Sequence, residues 1–183
     1  MSKKIDLEEL KSIAIKSKAE LWRMAKEKNR DVKLYIHWSA GHYNQVFDDY
    51  HLNILGNGDI FITVEDLSQL LSHTYKRNSG AIGISLSCAY LASPNNLGDE
   101  PPTIEQIDIV SKVIVVLAKI LDLTIDKYRV LTHGEAGDNV DGLFLHECYG
   151  QMTTLEKWDL AIIKKGDVWG SGGEYLRHKA RNV

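Results

Sequence analysis

The amino-acid sequence predicts an α/β fold, with α and β elements mixed in one domain around a central mixed β-sheet flanked by helices. The chain has 183 residues, enough for one domain with a sizeable hydrophobic core. Short runs rich in β-branched and aromatic residues alternate along it with amphipathic helical stretches, a pattern typical of such domains. No internal repeat and no linker divides the sequence into two domains.

The first 30 residues are predicted to form an amphipathic helix with a solvated outer face. Apolar residues recur at helical spacing over residues 6–29 among many lysines and glutamates. Asp6 can cap the start of this helix, with Glu9 three residues later. We therefore divide the chain into an N-terminal helix (residues 1–30), a main domain (residues 31–165) and a Gly-rich, then basic, tail (residues 166–183). We expect the tail to be partly disordered.

Five runs of apolar and aromatic residues predict the strands of the sheet. The second and third runs alternate in period two and are joined by Gly56-Asn57-Gly58, which is a strong signal for a β-hairpin. The last two are buried strands that lead into polar loops. The predicted strands cover residues 33–38, 50–55, 59–63, 81–88 and 128–131.

Three further helices are predicted between and after these strands. Residues 65–72 are predicted to form a short helix. Thr103 and Gln106 match the capping-box pattern in front of residues 107–123, which carry the strongest helical signal in the chain. Residues 154–163 are predicted to be the last helix.

Composition narrows the possible functions. The net charge of −3 provides no basic field for nucleic acid. No apolar run approaches the roughly 18–20 residues that a membrane span requires. Two cysteines are too few for a disulfide framework. The first residues contain no apolar stretch of a secretory signal, so we expect synthesis in the cytoplasm without a signal peptide.

Metal-binding residue types occur where buried segments open into loops. His37 lies near the end of the first strand, His133 follows the last strand, and Cys148 comes 15 residues after His133. Two imidazoles and a thiolate can hold zinc with a fourth position open to water, and Glu147 would be a chemically sound alternative third ligand. Each residue also has a simpler interpretation, because strand-end histidines and lone cysteines are more often structural. No local HxxxH or CxxC motif decides between these interpretations.

Six short segments, taken in order, resemble one enzyme family. They resemble the zinc-dependent N-acetylmuramoyl-L-alanine amidases of the amidase-2 type, a superfamily that includes small phage amidases and the peptidoglycan recognition proteins. The resemblance covers roughly residues 33–163. Trp38 replaces the second histidine of the usual pair, and Tyr149 replaces a proline. The segments are Ile36-His37-Trp38-Ser39-Ala40, Tyr50-His51 with its hairpin, His73 to Asn78 with Ile82-Gly83-Ile84, Thr103-x-x-Gln106, Thr132-His133-Gly134-Glu135 and Glu147-Cys148-Tyr149-Gly150.

The resemblance implies roles for individual residues. One zinc ion would be held by His37, His133 and Cys148. Ser85 stands where one subgroup carries a catalytic glutamate, so this chain is similar to the subgroup that uses a tyrosine, here Tyr50. Three side chains are candidates for the groove that binds glycan and stem peptide: Trp38, His73 and Asn78.

Two more residues near the implied zinc ligands have open roles. His146 lies two residues before the implied third ligand and is a second candidate for proton transfer, although it could also be an ordinary loop histidine. Glu135 could orient a ligand imidazole, and a solvated loop carboxylate is an equal alternative.

The function implied is hydrolysis of the amide bond between N-acetylmuramic acid and L-alanine, with peptidoglycan as the partner. A phage or prophage endolysin released through a holin pore fits this interpretation. A secreted antibacterial effector would share the same catalytic centre. A non-catalytic peptidoglycan-binding receptor is the alternative outside enzymes.

Overall fold

The structure, a computed structural model, describes residues 2–93, 96–145 and 158–183. Ten helices and strands follow one another within these ranges. They are β1 (Lys3–Ile5), α1 (Leu7–Lys26), β2 (Lys33–Trp38), β3 (Leu52–Ile54), β4 (Ile60–Ile62), β5 (Ala81–Leu86), α2 (Ile104–Leu121), β6 (Val130–Thr132), α3 (His133–Gly137) and α4 (Gly172–Arg181).

Six strands form one mixed sheet in the order β1-β4-β3-β5-β2-β6. Strands β3, β5, β2 and β6 run parallel, whereas β4 pairs antiparallel with both β3 and β1. The predicted mixed sheet flanked by helices is therefore confirmed, as is the hairpin of β3 and β4. Strand β1 was not predicted, and its pairing with β4 joins the N-terminal segment to the same sheet.

The two faces of the sheet differ in character. Alternate residues such as Ile36 and Ile84 belong to the main hydrophobic cluster, which also contains apolar side chains of α1 and α2. Their neighbours on the opposite face include His37 and Ser85, which occupy the same register in β2 and β5. Helices cover the apolar face, and polar side chains mark the other face. Cys88 is fully buried in the main cluster.

Both predicted capping boxes are present. The Asp6 carboxylate accepts a hydrogen bond from the Glu9 amide, and Thr103 accepts one from the amide of Gln106. The Gln106 carboxamide also donates to the backbone oxygens of Ile54 and Ser87, so α2 is fixed directly to the sheet. Among the described residues no helix combines the length and apolarity needed to span a bilayer.

The prediction of a helix at residues 65–72 is wrong, because this segment consists of turns and bends. The Asp66 carboxylate accepts hydrogen bonds from the amide and the hydroxyl of Ser68. The Leu67 amide donates to the Ser17 hydroxyl of α1. Side chains thus take backbone groups that a helix would need for its own hydrogen bonds.

The predicted helix at residues 154–163 is also not formed in its described part, residues 158–163, which contains turns and bends. Leu160 has a positive φ of 57°, a left-handed conformation that interrupts a helix. The Asp167 carboxylate accepts from the amides of Ile163 and Lys164, which closes a local turn instead.

The tail is ordered where disorder was predicted, because Gly172–Arg181 form α4, which packs against α2 and β6. Arg177 of α4 is buried and makes two hydrogen bonds to the Glu135 carboxylate, of 2.8 and 2.9 Å. The same guanidinium donates to the backbone oxygen of Val130. A basic segment that looks solvated in sequence therefore places one of its charges inside the protein.

Replacing Arg177 by methionine should lower the free energy of unfolding by about 3–5 kcal/mol, because Glu135 would remain buried without a counter-charge. Urea titration of the wild-type protein and the variant measures this loss. Arg181→Met is the matched control, since the Arg181–Glu174 pair is exposed and should contribute less than about 1 kcal/mol. Equal, small losses in both variants would contradict a stabilising role for the buried pair.

Candidate metal centre

Strand register brings His37 and His133 together. Ile36 of β2 pairs with Thr132 of β6, so the next residue of each segment lies at the same, carboxyl edge of the parallel strands. The two imidazole centroids are 4.8 Å apart. Both histidines are buried, with His37 fully inaccessible and His133 5% exposed. The two predicted histidine ligands therefore meet, although they lie far apart in sequence.

Asp159 supplies a third potential ligand atom that the sequence reasoning missed. Its Oδ2 lies 3.2 Å from His37 Nδ1 and 3.6 Å from His133 Nδ1. One donor atom from each of the three residues lies within 4.8 Å of the other two. Tetrahedral zinc with ligand bonds of about 2.1 Å places its donors roughly 3.4 Å apart. The two distances to Asp159 Oδ2, 3.2 and 3.6 Å, bracket this spacing, so the donor set suits a tetrahedral ion with one position remaining.

Electrostatics keep the Asp159 carboxylate ionised. Burial raises its pKa, but hydrogen bonds and charge from His133 and His37 outweigh burial, so the pKa lies below its ordinary value. Its side chain is 14% exposed, on the side of the cleft. Two imidazoles and one carboxylate give a donor set of net charge −1, which suits a divalent cation.

Three predicted residues lie outside the described residues: His146, Glu147 and Cys148. Their roles as proton donor, alternative ligand and third ligand stay predictions. The sequence did contain a signal for Asp159, because this carboxylate immediately precedes the apolar run Leu160-Ala161-Ile162-Ile163. A charge at the start of a run that becomes buried is unusual unless something pairs with it.

His133 and Asp159 line a cleft of about 430 Å³, and His37 lies buried directly behind them. Its walls are formed by the end of β2 and the loop after it, the turn before β3, the segment that precedes β5, and the segment around Asp159. The lining residues are Trp38, Ser39, Ala40, Asp49, Tyr50, Ser72, His73, Ala92, His133, Trp158 and Asp159. The cleft is thus open at the carboxyl edge of the sheet, where ligands of parallel sheets bind.

Tyr50 lies beside the candidate ligands. Its ring centroid is 4.9 Å from that of His37. Burial, together with the nearby charges of Asp159 and Asp49, raises the pKa of the Tyr50 phenol above its ordinary value. The phenol is therefore protonated near neutral pH and available as a hydrogen-bond donor.

The three predicted substrate-binding residues have different surroundings. Trp38 lines the cleft but is only 5% exposed, and its ring meets Trp158 edge to face with centroids 4.9 Å apart. His73 also lines the cleft and is buried. The carboxamide oxygen of Asn78 accepts hydrogen bonds from the amides of His73 and Thr74. Their contact with substrate stays a prediction, and Trp158 is a more accessible aromatic than Trp38 in the same wall.

Helix α4 braces the segments that carry His133 and Asp159. Glu135 is neither of the two alternatives expected from sequence, because it completes a capping box with Thr132 at the start of α3 and pairs with Arg177. On the other side, a Cβ added at Gly172 would lie 1.7 Å from the Leu160 oxygen. Only glycine allows the start of α4 to approach the Asp159 segment so closely.

The comparisons with known proteins give a likeness to a solved structure. Neither the protein-family profiles nor the curated proteins contain a match. Among solved structures, the chain is similar to an endolysin N-acetylmuramoyl-L-alanine amidase, LysCS, from Clostridium intestinale URNW. The identity is 17%, the TM-score is 0.42, and the match covers 56% of this chain and 68% of that chain. An overlap of this size does not assign the chain to a family.

His51 should make the protein less stable in mild acid. Its Nε2–H donates to the Gln69 oxygen and its Nδ1 accepts from the Gly83 amide. Burial lowers its pKa from 6.5 to about 4. The unfolded chain takes up a proton below its ordinary pKa while the folded protein does not, so stability present above pH 6.5 is lost as the pH falls toward about 4. The expected loss is about 3 kcal/mol.

Urea unfolding at about pH 7 and about pH 4.5 measures this effect. His51→Gln is the matched variant, since a carboxamide can keep both hydrogen bonds without titrating. The variant should lose less stability than the wild-type protein between these pH values. The same loss in both proteins would show that other groups carry the acid sensitivity.

Proposed function

We propose that this chain is a zinc-dependent hydrolase that cleaves the amide bond between N-acetylmuramic acid and L-alanine in peptidoglycan. The observation that carries the proposal is that donor atoms of His37, His133 and Asp159 lie within 4.8 Å of one another at an open cleft lined by His133 and Asp159. The ordered sequence segments that resemble the amidase-2 family support the choice of reaction and substrate.

In this proposal His37, His133 and Asp159 hold the ion. Cys148 remains a competing third ligand, because it lies outside the described residues. Three protein ligands leave the open coordination position that a hydrolytic zinc site requires. When bound, zinc would supply a water of lowered pKa and polarise the scissile carbonyl.

The donor set alone does not select zinc, because two histidines and one carboxylate also hold Fe(II) in oxygenases. The resemblance to zinc amidases supports zinc. Elemental analysis of the purified protein, with zinc and iron measured together, tests the choice. About one zinc per chain is expected, and one iron per chain without zinc would contradict it.

Tyr50 is the side chain that we assign to the leaving group. An amide nitrogen leaves only when it is protonated, and a protonated phenol beside the ligands can donate a hydrogen bond to the departing amine or to the carbonyl oxygen. This position also favours an enzyme over a non-catalytic receptor, because mere binding of peptidoglycan does not require a buried phenol next to the ligand histidine.

Aromatic and polar groups around the ligands suit a sugar–peptide substrate. Trp158 and Trp38 present an apolar wall, and Asp49 and Ser72 contribute polar groups to the cleft. We further propose that the enzyme reaches the wall through a holin pore or a secretion apparatus. Identification of a holin or secretion gene beside its own would support this route.

End-group analysis of digested peptidoglycan tests the reaction. The zinc-loaded protein should release new L-alanine amino termini without new reducing sugars. Asp159→Asn, treated identically, serves as the control for metal-dependent activity. New reducing ends would indicate a glycosidase, and tight binding to an intact wall would indicate a receptor.

A further inference from the structure

The hydroxyl of Thr74 lies between two imidazoles. Its Oγ1 is 2.9 Å from His73 Nδ1 and 3.4 Å from His37 Nε2. Thr74 is 2% exposed and His73 is 6% exposed, so solvent does not compete for these contacts. A chain of hydrogen bonds therefore runs from the candidate ligand His37, through the Thr74 hydroxyl, to His73 in the cleft wall.

Once His37 binds a cation, the donor and acceptor roles along this chain of hydrogen bonds are fixed. Asp159 approaches Nδ1 of His37, so Nδ1 is the nitrogen that faces the candidate metal position. A neutral imidazole that gives the lone pair of Nδ1 to a metal carries its hydrogen on Nε2. His37 then donates to Thr74 Oγ1, and the single hydroxyl hydrogen of Thr74 is left for His73 Nδ1.

The same reasoning places the hydrogen of His73 on Nε2. That atom is buried and has no hydrogen-bond partner among the described residues. His51 cannot accept from it, because both of its ring nitrogens are engaged, by Gln69 and Gly83. A buried donor without a partner is costly, and His73 lines the cleft, so this N–H is expected to take an acceptor when the cleft is occupied.

Neighbouring groups hold this chain of hydrogen bonds in place. The Asn78 carboxamide oxygen accepts from the amides of His73 and Thr74, at 3.3 and 2.8 Å. The His73 imidazole lies against Gly83 of β5, where an added Cβ would come within 2.6 Å of His73 Cγ. Asn78 and Gly83 thus hold Thr74 and His73 in the positions that the hydrogen bonds require.

We propose that Thr74 is a positioning residue that sets the hydrogen order of the His37–Thr74–His73 chain. It keeps Nδ1 of His37 ready for the metal and leaves Nε2–H of His73 as a donor for a carbonyl oxygen of the substrate. The inference rests on the metal site of the proposed function. Metal-bound histidines commonly donate their other ring N–H to a neighbouring acceptor, and loss of such partners typically weakens metal binding about 10–100-fold.

Thr74→Val and Thr74→Ser test the inference as a matched pair. Valine keeps the shape of threonine without the hydroxyl, whereas serine keeps the hydroxyl. Competition with a chromophoric zinc chelator should show about 10–100-fold weaker zinc binding for Thr74→Val, with Thr74→Ser close to wild type. Equal zinc affinity of wild-type protein and Thr74→Val would overturn the inference.

Side-chain ¹⁵N NMR of the zinc-loaded wild-type protein tests the hydrogen order without any variant. His73 should carry its hydrogen on Nε2, and its signals can be assigned by their loss in His73→Gln. A His73 hydrogen on Nδ1 would overturn the inference even if Thr74→Val did not fold. If the wild-type protein did not bind zinc, both the inference and the proposed zinc-dependent function would be overturned. Normal zinc binding with the His73 hydrogen on Nδ1 would overturn the inference alone.

Discussion

Replacing Asp159 by asparagine should weaken zinc binding by more than about 100-fold, beyond the range expected for loss of an outer-shell partner. The substitution replaces a charged carboxylate oxygen by a neutral amide that binds metal poorly. It also removes the acceptor that lies 3.2 Å from His37 Nδ1. Competition titration with a zinc chelator measures the affinity, and urea unfolding of the metal-free protein checks that the fold is intact.

Two further variants make this test specific. Asp49→Asn changes an exposed carboxylate of the same cleft and should leave zinc affinity within about threefold of wild type, since surface charges act weakly. Cys148→Ser tests the competing ligand. If Cys148→Ser loses zinc and Asp159→Asn retains it, the thiolate is the third ligand. If both variants lose zinc, four protein ligands would close the site, which would contradict a hydrolytic centre.

Replacing Tyr50 by phenylalanine should lower kcat by about 10²–10⁴-fold and leave zinc affinity unchanged, because in the proposed reaction the phenol assists the departing amine but is not a ligand. The ring itself remains, so its packing against His37 is preserved. Amine release from a soluble muramoyl-peptide gives kcat, and chelator competition gives the zinc affinity.

Tyr75→Phe is the matched control for this loss. Tyr75 is 50% exposed, and the same phenol is removed there from a surface position. Turnover by Tyr50→Phe as fast as that of the control would remove Tyr50 from the reaction. Loss of both zinc and turnover in Tyr50→Phe would instead make Tyr50 a structural support of the site.

Sequence patterns predicted the parts of the structure that depend on local signals. The hairpin, the two capping boxes and the strands before His37 and His133 are each encoded within a few residues. The meeting of the two histidines follows from a general property of parallel strands, whose carboxyl ends share one edge. These elements required no knowledge of distant contacts.

Tertiary contacts determined what the sequence patterns did not reveal. Asp159 lies in an irregular segment whose course is set by distant partners, because the Ala161 oxygen accepts from the amides of Gly170 and Gly172. In the same way, Arg177 is ordered by Glu135, which lies 42 residues earlier. The periodicity of the local sequence does not predict such contacts.

The packing of α4 has a practical consequence for handling this protein. The ten residues of α4, fewer than three helical turns, support the two segments that carry Asp159 and His133. Cleavage or substitutions that unwind α4 should abolish the proposed activity, although the ligand residues themselves would be unchanged. An inactive preparation that lacks α4 would then indicate loss of structural support for the site and not a defect in the ligand residues.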